Sequence, residues 1–303
     1  MRVLVTGGAG FIGSAIIQKL QEKADEVFVI DNLSFGNRSF ISIPDDRFYK
    51  LDIRNEAEVV EALDEIQPEI VLHLAAIHFI PYCNKHPFEA SDINIRGTMN
   101  LLKAIKACGS VKQFFFASTA AVYPILDGPI PETAEKKPLD IYGLTKLVGE
   151  ELSEKFHLET GIPTIICRFF NAFGPNETNP HLIPEIQQQV NNGKRIIQLG
   201  NLDPKRDFIH TSDMANAIDA LLQHVNMGFE IFNLGRGIEY SVVEVVKAFE
   251  AHLDEAIEIE VDPERVRKVE RMHLLSDISK ITSFTGWKPV VSLEEGIETL
   301  IRG

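Results

Sequence analysis

Apolar positions along the chain alternate between two patterns. Short runs that are apolar almost throughout predict strands: RVLVT (2–6), EVFVI (26–30), RFYKL (47–51), EIVLHL (69–74), QFFFA (113–117) and PTIICR (163–168). Between them, FIGSAIIQKLQEK, EAEVVEALDEI, a long segment ending near LLKAIKA, and GLTKLVGEELSEKF place apolar residues three and four apart. That spacing predicts amphipathic helices. Strands without a polar face, each followed by a helix, predict a parallel sheet covered on both sides. The fold class expected is therefore α/β, a doubly wound parallel sheet of the Rossmann type.

After about residue 170 the pattern loosens. NAFGPNETNPHLIPE is rich in Asn and Pro and reads as a loop, followed by a helix near 182–192. Ser212 and Asp213 are expected to cap a helix over 213–224, and EIFNLG reads as a returning strand. Ser241 and Glu244 have the spacing of a capping box ahead of VVEVVKAFEAHL. Residues 256–303 are expected to hold a strand and a helix starting near Ser276. The expected division is a nucleotide-binding domain over 1–170 with a returning segment at about 210–235. A smaller interleaved α/β lobe then comprises 171–209 and 236–303. No internal repeat or long linker interrupts the chain.

Composition changes this picture little. Of 303 residues 45% are hydrophobic and 24% charged, as in ordinary globular proteins. No apolar run is long enough to span a bilayer, and the N-terminal apolar stretch turns at once into glycines, unlike a signal peptide. Cys83, Cys108 and Cys167 are odd in number and lack a CxxC pair, so neither a disulfide framework nor a zinc site is expected, and a cytoplasmic location fits. A net charge of −14 argues against nucleic-acid binding. It also means that an anionic ligand requires locally placed arginines.

Residues 7–13 read GGAGFIG, directly after one strand and at the opening of a helix. Gly7 makes a tight turn, Gly10 lets backbone amides approach a pyrophosphate, and Gly13 lets helix and sheet pack closely. The alternative is a plain glycine-rich turn. Asp31, at the end of the second strand, stands where a ribose 2′-hydroxyl acceptor is needed. Its carboxylate would repel a 2′-phosphate, which favours NAD over NADP. Arg38 could receive such a phosphate, but reads as solvated. Asp52 ends the third strand, either to meet the adenine amine, or to cap the helix over NEAEVV, or both.

At the other end of the sheet, FFFASTAAVYP (114–124) delivers Ser118 and Thr119 to a strand edge, followed by two alanines. IYGLTK places Tyr142 and Lys146 four apart, on one helix face. A phenol is a poor base near neutral pH, but an ammonium and a cationic nicotinamide beside it favour the phenolate. The pair then becomes a proton acceptor and donor. The bland alternative is a surface pair.

These motifs stand in the order of one family. GGAGFIG, DNLS, LDIR, HLAA, ASTAAVY, YGLTK, RFFNAFGPN, LIP, PKRDFIHTSD and GWKP make the chain resemble an extended short-chain dehydrogenase/reductase. The resemblance is to the NAD-dependent epimerase/dehydratase family, whose members act on nucleotide-sugars, and it covers nearly the whole chain. It implies NAD contacts from Gly7, Gly10, Phe11, Ile12, Gly13, Asp31, Asn32, Asp52, Ile53, Leu74, Ala75, Ala76 and Asn94. It implies that Tyr142 is the catalytic tyrosine, that Lys146 is its partner on the nicotinamide ribose, and that Thr119 binds the reacting sugar oxygen beside Ser118. Asn171 falls near the substrate diphosphate, and Arg206 where an arginine grips diphosphate or ribose. A second phosphate-binding arginine is expected about ten residues before SDISK, which selects Arg267 over Arg271. Leu274 falls near the position that gates bulk at C2 of the sugar. Each arginine has a surface salt bridge as its alternative.

The two alanines after Thr119 then carry information. Dehydratases of the family hold acidic residues there, and methyl groups cannot transfer protons. Ala120 and Ala121 point toward a nucleotide-sugar 4-epimerase, UDP-hexose being the expected substrate class. IHFIPYCNKH (77–86) departs from the commoner pattern, with His78, Cys83 and His86 in the loop expected to border the sugar. Cys83 is either a packing residue or a substrate contact. If Cys83 or His78 supplied a proton, a dehydratase would return. His-x₇-His with one Cys is not a metal-ligand spacing. Also open are a 4-ketosugar reductase, against which Asp31 argues, a glucuronate-type decarboxylase, and a non-catalytic NAD-binding regulator, which would commonly lose the Tyr/Lys pair. Family members often dimerise through two helices. Those near 90–108 and 142–160 could do so here through Leu101, Leu102, Ile105, Leu147 and Leu152, unless these are core residues.

Overall fold

The computed structural model describes residues 1–23, 26–224, 228–253, 255–266 and 271–302. Seven parallel strands form the central sheet: β1 (Arg2–Thr6), β2 (Glu26–Ile30), β3 (Phe48–Tyr49), β4 (Ile70–His73), β5 (Gln113–Thr119), β6 (Thr164–Phe169) and β7 (Phe229–Leu234). Their spatial order is β7-β6-β5-β4-β1-β2-β3. The order reverses beside β1, and a crevice opens at the carboxyl ends of the strands flanking such a switch point. Every run expected to be a strand pairs in this sheet, although RFYKL contributes only Phe48 and Tyr49.

Five helices cover the sheet: α1 (Phe11–Gln21), α2 (Glu56–Ile66), α3 (Gly97–Cys108), α4 (Ile141–Thr160) and α5 (Thr211–Leu222). Ile16, Ile17 and Leu20 of α1 join Met214, Ile218 and Leu221 of α5 on one face. Val59, Leu63 and Ile66 of α2 join Leu101 and Ile105 of α3 and Phe156 of α4 on the other. Both faces of β5 are thus buried, which is why QFFFA shows no alternation. Leu101, Leu102 and Ile105 are core residues, and Leu147 and Leu152 are partly buried, packed against the core. Phe88, Met99 and Leu144 are exposed instead.

A second core gathers Phe173, Ile183, Ile186, Phe208, Val245, Phe249 and Ile297. It lies under a three-stranded sheet of Asn171–Phe173, Lys205–His210 and Glu239–Ser241. Ile281 and Trp287 of the C-terminal stretch pack instead into the α1–α5 core of the central sheet. Asp207, fully buried, ties the two regions. Its Oδ1 accepts from Arg236 N at 2.6 Å, and its Oδ2 accepts from Gly237 N at 2.9 Å, Ser276 N at 3.1 Å and the Ser276 hydroxyl.

Local details confirm some expectations and correct others. Ser241 and Glu244 form the complete capping box. Ser212 and Asp213 do not cap α5. His210 occupies the N-cap, and the Asp213 carboxylate accepts from Val290 N and Val291 N, clamping a distant segment. Asp52 does not cap α2 either, because Asn55 holds that position. The helix expected to start near Ser276 starts at Ser279. Residues Pro87–Cys108 run as one helical stretch, interrupted by a π turn at Asp92–Arg96. A π turn accommodates one extra residue in a helix and marks functional sites in many proteins.

Candidate active site

A cleft of about 1110 Å³ runs along the carboxyl edge of the sheet and between the two cores. At one end lies the glycine turn. Gly7 has φ +73°, and a Cβ there would lie 2.7 Å from Ala75 N. A Cβ on Gly13 would strike the Gly7 carbonyl. Gly10 is the N-cap of α1 without any side-chain cap, so the first amides of the helix face the cleft unscreened by a capping side chain. An anion is favoured there by those amides and by the helix dipole. The turn is thus a backbone cradle that any side chain would fill, which is the shape a dinucleotide pyrophosphate requires.

Asp31 closes this end. Its Oδ2 accepts from Ala9 N at 3.0 Å and its Oδ1 from Leu33 N at 2.8 Å. Burial pushes its carboxyl up, and the two amides pull it back. Each oxygen keeps a second lone pair for a ribose hydroxyl. Asn32 donates to Asp52 at 3.0 Å, and Arg54 grips Asp52 at 3.0 and 2.7 Å. That guanidinium holds the Asp52 carboxyl at about 2. Arg38 is not solvated as expected. It donates to the carbonyls of Ile41 and Ile43 and to Asp45, and lies 4.9 Å over the Phe48 ring. The residues fit NAD: a cradle without side chains, a carboxylate at the ribose position, and an arginine already committed elsewhere. Phe11, Ile12, Ile53, Leu74, Ala75 and Ala76 also line the cleft.

At the catalytic end, β5 ends at Thr119 and Asp140 caps α4 through Gly143 N at 2.7 Å. This brings Tyr142 against Thr119 at the cleft, near enough for the Thr119 hydroxyl to act on the phenol. Burial pushes the phenol well above its ordinary range, and the Thr119 contact pulls it back. Lys146 is 4% exposed, with Nζ 4.3 Å over the Phe116 ring. Burial pushes its ammonium down to about 7, against the opposing pull of Glu150. A buried lysine pushed toward neutrality and a buried phenol, one helical turn apart, are groups suited to proton transfer. Ala120 and Ala121 line the cleft next to Thr119.

Ser118 lies at the same edge, but its hydroxyl donates to Glu150 Oε1 at 2.5 Å, beneath the site. Asn94 does not line the cleft. Its Oδ1 accepts from Ile77 N at 2.8 Å, and its Nδ2 donates to Ile77 O and to Thr145 Oγ1 at 2.9 and 3.0 Å. It therefore ties the strand-end loop to α4 rather than facing a ligand. Cys83 is a packing residue and not a cleft contact. It is fully buried against Ile77, Ala90 and Tyr142, its thiol donates to Ile77 O at 3.6 Å, and burial pushes it up to about 11. His86 stacks on Tyr82 at 4.5 Å, away from the cleft, whereas His78 lines it.

Beyond Tyr142 the cleft reaches the second core. Asn171 lines it, with Oδ1 buried and unpartnered. Arg206 lines it too, its Nη1 donating to the carbonyls of Lys205 and Arg271 at 2.8 Å each. Arg267 lies outside the described residues. The spacing before SDISK points to neither Arg265 nor Arg271, yet both line the cleft. Arg265 pairs with Glu185 at 2.9 Å, and Arg271 donates to the carbonyls of Tyr123 and Pro124. Three arginines at one end of a cleft in an acidic protein suit a dianionic diphosphate. Leu274 lines the same region.

Comparison with known proteins agrees with this geometry. A sequence model of the NAD dependent epimerase/dehydratase family matches residues 3–235. The UDP-glucose 4-epimerase of Halalkalibacterium halodurans is 32% identical over 319 residues, spanning 98% of this chain and 94% of that protein. The UDP-glucose-4-epimerase of Stenotrophomonas maltophila, solved with bound NAD and formylated UDP-arabinopyranose, superposes with a TM-score of 0.92 at 29% identity, covering 100% of this chain and 97% of that one. The Thermotoga maritima UDP-glucose 4-epimerase, solved with UDP-glucose, gives a TM-score of 0.87 at 29% identity over 99% and 97% of the two chains. With the glycine cradle, the carboxylate at the ribose position and the Thr119–Tyr142–Lys146 set in one cleft, this chain belongs to the NAD-dependent epimerase/dehydratase family.

Proposed function

We propose that the protein is a nucleotide-sugar 4-epimerase, with a UDP-hexose as substrate. The observation that carries this reading is the Thr119–Tyr142 contact, with Lys146 beside it and only methyl groups at Ala120 and Ala121. Thr119 orients the sugar hydroxyl on C4, and Tyr142 takes its proton. Lys146, when charged, holds the phenolate form that does so. Burial of both groups keeps water from competing for the proton. Tyr142 then returns the proton to the same oxygen, so no second acid or base is consumed. Bound NAD supplies the hydride acceptor and donor at C4, and return to the opposite face inverts that carbon. Asn171, Arg206, Arg265 and Arg271 are the residues we assign to the diphosphate, with Gly7, Gly10, Gly13 and Asp31 assigned to the cofactor. We assign the central sheet, with the segment returning at α5 and β7, to NAD, and the second core to the nucleotide-sugar.

Two further expectations belong to this proposal. A homodimer is supported by Phe88, Met99 and Leu144, exposed on or next to α3 and α4, and light scattering tests it. A reducing, cytoplasmic setting is supported by three free thiols, and none of the described helices is long and apolar enough to cross a membrane.

The test is to purify the protein without added cofactor, release and identify any bound nucleotide, and incubate it with UDP-glucose. Retained NAD and a product of unchanged mass with inverted C4 is the expected result. A product lighter by one water would replace the epimerase with a dehydratase, with His78 as the residue to examine, since the Cys83 thiol is buried and bonded.

A further inference from the structure

One wall of the cleft has no role in the chemistry above. It joins His78 and Phe79, just beyond β4, to Glu177, Asn179 and His181 of the loop after β6. The Glu177 side chain is 4% exposed and lines the cleft. Its Oε1 accepts from His181 Nδ1 at 2.8 Å, while its Oε2 is buried with no partner. Asn179, 7% exposed, donates Nδ2 to His78 Nε2 at 3.0 Å. The His78 and His181 rings lie 6.0 Å apart, and Phe79 packs 5.6 Å from His181.

The protonation pattern of this wall follows from its bonds. Burial first, then the charges of His181 and Lys146, push His78 down to about 4, so its ring is neutral. Since Nε2 accepts from Asn179, Nδ1 carries the ring proton. Ile77, next to His78, packs with Tyr142 and is joined through Asn94 to Thr145 of α4, which sets the His78 side of the wall toward the catalytic end of the cleft. The wall thus holds a ring N–H on His78 and an unpaired buried carboxylate oxygen, Glu177 Oε2, on two residues that line the cleft. A buried acceptor left without a donor costs about 1–3 kcal/mol or more, so a ligand group that supplies one is favoured. A hydroxyl both donates and accepts and can satisfy such a pair. An ionised carboxylate only accepts, and would bring a second negative charge beside Glu177 in a site of low dielectric.

We propose that Glu177, supported by His181 and set beside His78, is a specificity residue that selects a neutral, hydroxyl-bearing sugar and rejects a uronate. The inference deepens the nucleotide-sugar reading and rests on it. Selectivity arises because the site is built to receive a hydrogen-bond donor and penalises a group that cannot supply one.

The experiment is calorimetric titration of the NAD-loaded protein with UDP, UDP-glucose and UDP-glucuronate, repeated on Glu177→Gln, an almost isosteric change. For the wild type the expected result is binding of UDP-glucose at least tenfold tighter than UDP-glucuronate. In Glu177→Gln that ratio narrows, mainly through tighter binding of the glucuronate, while the affinity for UDP stays constant. Equal or tighter wild-type binding of UDP-glucuronate overturns the proposal without any variant. So does a ratio unchanged in Glu177→Gln, and in both cases UDP binding keeps the nucleotide-sugar reading intact. Failure of all three ligands to bind overturns that reading, and this inference with it.

Discussion

Glu150 receives the guanidinium of Arg168 through two hydrogen bonds, at 2.8 Å to Oε1 and 2.7 Å to Oε2, with both side chains at most 2% exposed. The same carboxylate takes the Ser118 hydroxyl, and Arg168 continues to Tyr123, whose hydroxyl reaches Asn233 at 2.7 Å. The pair lies one helical turn beyond Lys146, under the strand end that presents Thr119. Removing one partner of a buried pair strands the other charge, which typically costs about 3–5 kcal/mol. Arg168→Met is therefore expected to lose stability on that scale in urea unfolding. Replacing both, Arg168→Met with Glu150→Met, is expected to recover most of it. A double variant no more stable than the single one would show that the pair is not the source of the loss.

Tyr142→Phe keeps the ring and removes the proton carrier. Turnover of UDP-glucose is expected to fall by about 10²–10⁴, the usual contribution of a positioned acid–base group, with the content of bound NAD unchanged. Activity within a factor of a few of the wild type would remove Tyr142 from the mechanism. Thr119→Ala, which loses one hydrogen bond, is expected to cost less than Tyr142→Phe.

Lys146 makes stability depend on pH in a defined direction. In the folded cofactor-free protein its ammonium titrates at about 7, against an ordinary value of 10.5. Below 7 the folded state holds a buried charge at full cost. Between 7 and 10.5 the unfolded chain binds the proton and the folded one has released it, so stability rises with pH across that window. Lys146→Met removes the cost. Its melting temperature is expected to exceed that of the wild type most clearly at pH 6, with the gap shrinking by pH 9, while turnover is lost. A gap that grows with pH would contradict the assignment.

Asp31 is expected to set cofactor preference through charge. Asp31→Asn retains an acceptor for the Ala9 or Leu33 amide and loses the negative charge. The ratio of NAD to NADP affinity, measured by fluorescence quenching, is expected to fall by about tenfold or more, equivalent to about 1.4 kcal/mol. An unchanged ratio would mean that the cradle, rather than the carboxylate, excludes the 2′-phosphate.

Gly13→Ala tests the cradle itself. The added methyl strikes the Gly7 carbonyl, a rigid backbone atom. Protein purified from this variant is expected to carry little or no NAD, and UDP binding in the second core is expected to persist.

What the sequence discloses and what it hides divide along physical lines. GGAGFIG and YGLTK are legible because their function is carried by local backbone geometry and helical spacing, which survive in one dimension. The central strands are legible because burial on both faces leaves runs that are apolar almost throughout. The arginines were harder. Arg265 and Arg271 come from a stretch with weak periodicity, and only folding of that stretch onto the cleft singles them out. Glu177 looked like any polar loop residue, and its burial arises from closure of the loop over His78. Cys83 reads first as packing, with a substrate contact as the alternative, because a thiol fits both until its neighbours are known. Asp52 and Asp213 resemble caps by position, yet other partners hold them: Arg54, two residues on, for Asp52, and the distant Val290–Val291 amides for Asp213.

The π turn at Asp92–Arg96 has a genetic counterpart. It holds one residue more than a regular helix needs, and this surplus lets the Asn94 amide reach both Ile77 and Thr145. A one-codon deletion there would let the helix close up as α with both flanks in register, so Gly97 would keep its seat against Ile53. Such a deletion would be mild for the fold, yet would unfasten the loop carrying His78 from the helix carrying Tyr142. The chain thus carries a position where reading-frame-preserving loss is structurally cheap and functionally costly.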